Sequence, residues 1–463
     1  MADYKDIPSV TAVLKEQRVK DLISEFGDLP VKEALRRTIA SMRECIQQDK
    51  ELPAKEDYLQ KIHSLTAELS GRSFRNVINA TGIILHTNLG RAPLGQKMMH
   101  DISQQLGGYS NLEFDLEAGK RGSRYTHIKE CLKLITGAED VLVVNNNASS
   151  VILALNALCK GGEVIISRSE MIEIGGSFRL PEVFEAAGCK LVEVGATNKC
   201  RIADYEKAIN ENTKAILKVH QSNFAIIGFT QECGLTELKE LALKHNLPLL
   251  YDLGSGLLRK PANLPLEDEP DVHTSIKEGA DLVMFSCDKL LGGPQGGVLC
   301  GSKKLIGILS KTPLLRALRM GKLDMAALAW VCRQYMDDAT LKANVPIFSM
   351  LEKSQDTLKQ EADKLAEALK KENIDCETVQ SSGQVGGGTL PHLKLSTFAV
   401  ALKTAGSVKE KKHFAEKLYR KLMTGEFPVA GILREGELLF DVLTLLDGDA
   451  ETIVKSLKAA ISE

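Results

Sequence analysis

Leu282-Val-Met-Phe-Ser-Cys-Asp-Lys-Leu-Leu-Gly-Gly-Pro-Gln-Gly-Gly297 sets a short apolar run against a lysine and a glycine-rich turn. Four apolar residues in succession, bounded by turn residues, fit a strand buried on both faces. Similar runs stand at 141–144, 164–167, 191–194, 215–219 and 247–252, with another near 297–301. Helical patterns at 235–245 and 274–280 lie between some of them. Apolar runs alternating with helices predict an α/β fold with a mostly parallel central sheet covered on both faces.

Outward from this core the pattern changes. Residues 1–75 read as helical, over about 10–26, 31–48 and 55–70, with Val31, Leu35, Ile39, Met42 and Ile46 forming an apolar stripe. Helices are predicted from 303 to about 341. A long helix at 349–372 opens a C-terminal segment with strand regions near 393–402 and 431–442, a smaller α+β domain. The predicted organisation is an N-terminal helical domain at 1–75, a large domain at 76–340 and a small domain at 341–463.

The chain has 463 residues, close to three domains at about 150 residues each. Hydrophobic residues make up 44% and charged residues 26%, which excludes a disordered chain. No stretch approaches the ~20 apolar residues of a membrane span, so no membrane partner is expected. The first residues lack the basic-then-apolar run of a secretory signal. Ten cysteines without a C-x-x-C pair predict free thiols, a cytoplasmic location and no metal site. Lys plus Arg total 59 against 61 Asp plus Glu, which excludes a broadly basic nucleic-acid binder. Residues 1–75 are also balanced, with 13 of each sign. Any nucleic-acid contact there must come from the placement of charge, and Lys32, Arg36 and Arg43, with Arg37 nearby, gather on one edge of the second predicted helix.

Lys289 follows an apolar strand where the backbone turns sharply. A lysine so placed can form a Schiff base with pyridoxal 5'-phosphate once its amine is kept from charging. In Tyr251-Asp-Leu-Gly-Ser-Gly, Asp252 ends another strand, where it could pair with the pyridinium nitrogen of that cofactor. Ligands of open parallel sheets bind at these carboxyl ends. After the run 141–144, Asn147, Ala148, Ser149 and Ser150 open an apolar helix, and small or hydroxylated residues there offer backbone N–H groups to a phosphate. His220 is a further candidate for the cofactor environment.

These residues lie within longer motifs that resemble the bacterial selenocysteine synthases, the L-seryl-tRNA(Sec) selenium transferases. The resemblance is carried by Asn76-Val-Ile-Asn-Ala-Thr-Gly-Ile-Ile-Leu-His-Thr-Asn-Leu-Gly-Arg and Glu117-Ala-Gly-Lys-Arg-Gly-Ser-Arg-Tyr. It continues through Asn145-Asn-Asn, Glu173-Ile-Gly-Gly-Ser-Phe-Arg, Lys218-Val-His-Gln-Ser-Asn and the Lys289 segment, and covers essentially the whole chain. It implies a fold-type I, pyridoxal-phosphate-dependent transferase, cytoplasmic and assembled as a homodecamer of dimers. The implied reaction converts L-seryl-tRNA(Sec) to L-selenocysteinyl-tRNA(Sec) through a cofactor-bound dehydroalanyl-tRNA, with selenophosphate as selenium donor. Lys289 would be the cofactor lysine and Asp252 the partner of the ring nitrogen. Arg91, Arg316 and Arg319 match the family's anion-binding positions, the last two at i, i+3 on one helix face. The family recognises its tRNA with the N-terminal domain, so Lys32, Arg36, Arg37 and Arg43 are the expected contacts.

The chain departs from the family pattern at Ala196 and Cys287, where a threonine and a glycine are usual, and at Ile432 and Leu443, where arginines are common. The alternative is a pyridoxal-phosphate lyase of a small amino compound such as an amino sugar or sugar acid phosphate. Such relatives typically lack the N-terminal helices, so residues 1–75 favour the tRNA substrate. A non-catalytic tRNA-binding relative would not need Lys289, Asp252 and a phosphate cup together.

Overall fold

The strand ending in Ser286 lies near the middle of a seven-stranded sheet. In chain order its strands are β1 (Asp140–Val144), β2 (Glu163–Ser167), β3 (Lys190–Val194), β4 (Thr213–Val219), β5 (Leu249–Gly254), β6 (Leu282–Ser286) and β7 (Gly297–Gly301). The spatial order is β1-β7-β6-β5-β4-β2-β3. Only β7 runs against its neighbours, so the predicted mostly parallel sheet is present. The computed structural model describes residues 4–71, 74–174 and 178–462, and Gly175, Gly176 and Ser177 of the Glu173 motif lie outside them.

Burial explains why these segments are strands rather than helices. Every residue of β1, β6 and β7 is buried, so apolar side chains are needed on both faces. β3 lies at the sheet edge and is mostly exposed or half-buried. Two clusters cover opposite faces: Val141, Val143 and Phe285 belong to one, Leu142, Val144 and Met284 to the other. That is the period-two alternation of a strand. The predicted strand at 247–252 begins two residues later, after Pro248, which has no N–H for the ladder.

The chain divides into two compact units. One comprises residues 1–77 with 424–428, and the other 78–423 with 429–463. In the first, α1 (Val10–Val13), α2 (Gln17–Phe26), α3 (Asp28–Gln47) and α4 (Lys55–Leu69) close around Val19, Val31, Leu35, Ile39 and Ile62. Burying an aliphatic side chain of this size contributes about 1.5–3 kcal/mol, and the α3 stripe directs three, Val31, Leu35 and Ile39, into this core. The helix expected at 10–26 breaks at Glu16, which takes an extended conformation before α2.

The second unit also holds a four-stranded antiparallel sheet of β8 (Cys376–Gly386), β9 (Thr389–Leu402), β10 (Ile432–Arg434) and β11 (Glu437–Asp441), in the order β8-β9-β11-β10. Two expectations are corrected here, and one strand is added to them. The single helix expected at 349–372 is two, Pro346–Glu352 and Gln355–Lys371, because Ser354 starts the second by accepting from the Thr357 amide at 3.1 Å. The strand region at 431–442 is a hairpin turning at Glu435 and Gly436, both with positive φ. β8 was not anticipated, because Gln380-Ser-Ser-Gly-Gln is too polar to read as a strand.

Candidate active site

The carboxyl ends of β1, β4, β5 and β6 meet at one place, and four of the expected residues lie there. Asp252 lies in β5, two residues before its carboxyl end, and is 3% exposed. Its carbonyl accepts from the His220 amide, just after β4, at 2.9 Å. Lys289, three residues past β6, is 6% exposed. Burial holds its amine below the usual lysine range; Arg91 adds to this, while Asp252, Asp288 and Glu269 oppose it. Burial conversely raises the Asp252 carboxyl, against a hydrogen bond from Asn147 and the charges of Lys289 and His220. A buried lysine and a buried aspartate within each other's field are therefore poised for proton and cation chemistry.

The fourth residue, Asn147, opens the helix Asn147–Cys159 directly after β1. Its Nδ2 donates to Asp252 Oδ1 at 2.9 Å, so its side chain serves the aspartate. The helix is capped by Asn146, whose Oδ1 accepts from the Ser149 amide at 2.8 Å. The amides of Asn147 and Ala148 have no acceptor among the described residues and remain for an anion. Ser149 and Ser150 are both buried. Gly297 permits this packing, since a Cβ there would lie 2.2 Å from the Asn146 carbonyl oxygen and 2.4 Å from Ser150 Oγ.

Arg91 has a left-handed backbone, φ 63°, and its guanidinium pairs with Asp288 at 2.5 Å. Asp288 Oδ1 also accepts from Ser286 Oγ at 2.6 Å. Arg319 lies beside the start of the Asn147 helix: its backbone bridges Val144, and the Leu318 carbonyl accepts from the Asn145 amide at 2.9 Å. That bridge holds Arg319 extended, outside the short helix Leu314–Leu318, so the expected single helix face with Arg316 is not formed. Arg316 is exposed and has no acidic partner among the described residues.

Sequence reasoning missed Glu113. Arg121, Arg124 and Arg319 all pair with it, and the Arg124 hydrogen bond leads in holding its carboxyl below the usual range. It also missed Glu269, which is 1% exposed with one oxygen 3.7 Å from His220 Nε2. Arg124 stood in a quoted motif, but nothing in the spacing ties it to Glu113, and Glu269 carries no motif. Of the departures, Cys287 is fully buried, and burial pushes its thiol up, so it is a packing group rather than a nucleophile. Leu443 is buried against Gly383, and Ile432 is half-buried in β10.

Lys32, Arg36, Arg37 and Arg43 are all exposed on α3, in the helical unit. Three of them are internally paired, Lys32 with Asp28 and both Arg36 and Arg37 with Glu33. Arg43 has no acidic partner among the described residues.

Asn147 Oδ1, Ser255 Oγ and Glu269 Oε1 are buried without hydrogen-bond partners. Ser255 adjoins the site through its carbonyl, which accepts from the Leu290 amide at 2.9 Å. Orphaned polar atoms are rare in native interiors, and three around one lysine–aspartate pair fit a polar ligand. With a buried amine, a carboxylate and free helix-terminal amides, the site fits an anionic cofactor carrying a carbonyl and a cationic ring.

The family model described as L-seryl-tRNA selenium transferase matches residues 77–446, and that described as selenocysteine synthase N terminal matches residues 4–43. The L-seryl-tRNA(Sec) selenium transferase of Clostridium botulinum (strain Okra / Type B1) is 39% identical over 457 residues, covering 98% of each chain. That of Aquifex aeolicus (strain VF5) is 40% identical over 460 residues, or 99% of each. That of Alkaliphilus metalliredigens (strain QYMF) is 41% identical over 462 residues, covering 98% of this chain and 97% of the other. Among solved structures, D-glucosaminate-6-phosphate ammonia-lyase aligns with a TM-score of 0.57 and 18% identity, over 85% of this chain and 97% of the other. At that identity the likeness speaks to the fold alone.

Proposed function

The chain belongs to the L-seryl-tRNA selenium transferase family, and we propose that it converts L-seryl-tRNA(Sec) to L-selenocysteinyl-tRNA(Sec) with selenophosphate as selenium donor. The observation that carries this reading is the buried Lys289–Asp252 pair, set among orphaned polar atoms at the carboxyl ends of the sheet.

The residues present fit pyridoxal phosphate. Lys289 would hold its carbonyl carbon, Asp252 its ring nitrogen and the amides of Asn147 and Ala148 its phosphate, with Ser149, Ser150 and His220 around them. When bound, this cofactor supplies an electron sink for the pair released as the substrate α-carbon loses its proton. The lowered pKa of Lys289 favours a neutral amine, which can accept that proton. Asn147 fixes Asp252 by donating from its Nδ2 to the Asp252 Oδ1, which favours the charged carboxylate that a cationic ring requires.

Selenophosphate, a small anion, is met by Arg91, Arg316 and Arg319. Arg91 and Arg319 are already oriented by Asp288 and Glu113, which reduces the ordering cost of binding. The helical domain, taken as residues 1–75, binds the tRNA through Lys32, Arg36, Arg37 and Arg43; residues 76–340 form the catalytic domain and 341–463 the small domain. The match of the N-terminal family model to residues 4–43, which include all four cations, supports this assignment. Ten free cysteines fit a cytoplasmic enzyme, and a homodecamer of dimers is its proposed assembly.

The test is selenophosphate-dependent conversion of seryl-tRNA(Sec) by the wild-type enzyme and by Lys289→Ala. The wild type is expected to form selenocysteinyl-tRNA and to show the visible absorbance of lysine-bound cofactor, and the variant to lose both. Ammonia release from an amino sugar acid phosphate, with no product from seryl-tRNA(Sec), would move the assignment to a small-molecule lyase.

A further inference from the structure

A cavity of about 380 Å³ lies between residues 83–88 and the turn joining β8 to β9, and no role above uses it. We propose that it holds the terminal adenosine of the aminoacylated tRNA, a placement that rests on the seryl-tRNA reading. Its volume lies within the usual range for small-ligand pockets.

The lining selects a neutral, flat and polar-edged ligand. It contains no lysine, arginine, aspartate or glutamate, so a phosphate or sugar phosphate would find no countercharge. Ile83, Leu85, Leu390 and Pro391 give apolar surface, while Asn88, Asn223 and Gln384 bring carboxamides to the same space. Carboxamides pair in bidentate fashion with adenine, and unstacked bases are read by such edge contacts together with packing on their faces. His86 also lines the cavity, and its Nδ1 is buried without a partner.

Glycines let the turn approach the residues opposite it closely. Gly386, Gly387 and Gly388 all have left-handed backbones, with φ of 77°, 63° and 74°. A Cβ at Gly387 would lie 2.9 Å from the Leu85 Cβ, and one at Gly388 would lie 3.2 Å from the Asn223 Cβ. The wall is therefore bare backbone on the side facing those residues.

The cavity adjoins the reacting centre along two segments. The Arg91 amide donates to the His86 carbonyl at 3.0 Å, and the Arg91 guanidinium pairs with Asp288, next to Lys289. Asn223 is three residues beyond His220, so their Cα atoms are at most about 11 Å apart. In seryl-tRNA only an ester link and one ribose separate the reacting serine from its adenine. A serine at Lys289 thus carries its base towards this cavity.

Adenosine is the probe. It should inhibit wild-type turnover of seryl-tRNA(Sec) competitively, and cytidine should be at least tenfold weaker. Gln384→Ala and Asn223→Ala, both at polar side chains that are not buried, should each raise KM for seryl-tRNA(Sec) about tenfold and weaken adenosine inhibition in parallel. The visible absorbance of the lysine-bound cofactor should stay unmoved in both. If the wild type turns over seryl-tRNA(Sec) but adenosine does not compete, or both variants keep wild-type KM, the cavity assignment falls while the enzyme assignment stands. A wild type that does not turn over seryl-tRNA(Sec) overturns both.

Discussion

Asn147 Nδ2 donates to Asp252 Oδ1 at 2.9 Å, joining the helix after β1 to β5 across two intervening strands. One side chain thereby links the proposed phosphate cup to the proposed partner of the ring nitrogen. Orientation of the carboxylate and stability of its charge both depend on this bond.

Asn147→Ala is expected to weaken cofactor binding and lower kcat/KM by about tenfold to a hundredfold. A hydrogen bond to a charged group contributes about 1.5–3 kcal/mol, and each 1.4 kcal/mol is a factor of ten. Asn147→Asp should be worse, since it replaces the donor with a second carboxylate. Cofactor titration and initial rates check this, and wild-type values in Asn147→Ala would overturn it.

Asp252→Asn is expected to abolish most activity while stabilising the apoenzyme near neutral pH. The folded-state pKa of Asp252 is raised above its ordinary 3.8 by burial. Between those two values the folded chain binds more protons than the unfolded one. Its contribution to stability is therefore full below the ordinary value and lost as pH rises through the raised one. A neutral amide removes that loss and still accepts from Asn147. Apoenzyme melting temperatures should show the variant's advantage growing from pH 3.5 to pH 7, alongside a fall in kcat of at least about 10²-fold, typical of a lost electrostatic contact to developing charge. An advantage independent of pH would overturn the linkage.

Gly297→Ala is expected to displace the turn before the Asn147 helix and to lower cofactor affinity more than tenfold. The added Cβ meets the Asn146 carbonyl oxygen and Ser150 Oγ, which belong to the backbone and helix that form the cup. Gly307→Ala is the control, because its Cβ meets nothing within 4 Å in the helix Lys303–Leu309. That change should leave affinity intact and raise stability by about 0.5–1 kcal/mol. Equal cofactor affinities in the two variants would show that the cup tolerates a side chain at 297.

The sheet was legible because β1, β5 and β6 are buried on both faces, and that constraint writes itself as continuous apolar runs. Lys289 and Asp252 were legible for a related reason, as polar residues at or shortly past the ends of such runs. β8 was not, because its residues are largely exposed or half-buried and its pairing with β9 supplies what its composition lacks. Glu269 was hidden because its neighbour His220 is remote in sequence, and Glu113 because, beside the nearby Arg121 and Arg124, it gathers Arg319 from 206 residues away. Arg319 was read as helical together with Arg316, but a backbone bridge to Val144 holds it extended just past the helix Leu314–Leu318 and overrides local helical preference.

On α3 the same logic distinguishes cations that sequence alone treats as equals. Lys32 is held by Asp28, and Glu33 takes both Arg36 and Arg37. Such exposed pairs contribute about 0.2–1 kcal/mol each, so a phosphate can displace the acid, but only the difference remains as affinity. Arg43 has no acidic partner among the described residues to lose. Arg43→Ala should therefore weaken tRNA(Sec) binding more than Arg36→Ala does, and should lower the slope of log K against log salt by about 0.7–0.9, one phosphate contact. Glu33→Gln has the opposite sign: it frees two arginines and should tighten binding at low salt, with the gain fading as salt screens it. Filter-binding or anisotropy titrations over a salt series read both effects. An unchanged Kd in both Arg43→Ala and Glu33→Gln would remove α3 from the tRNA interface.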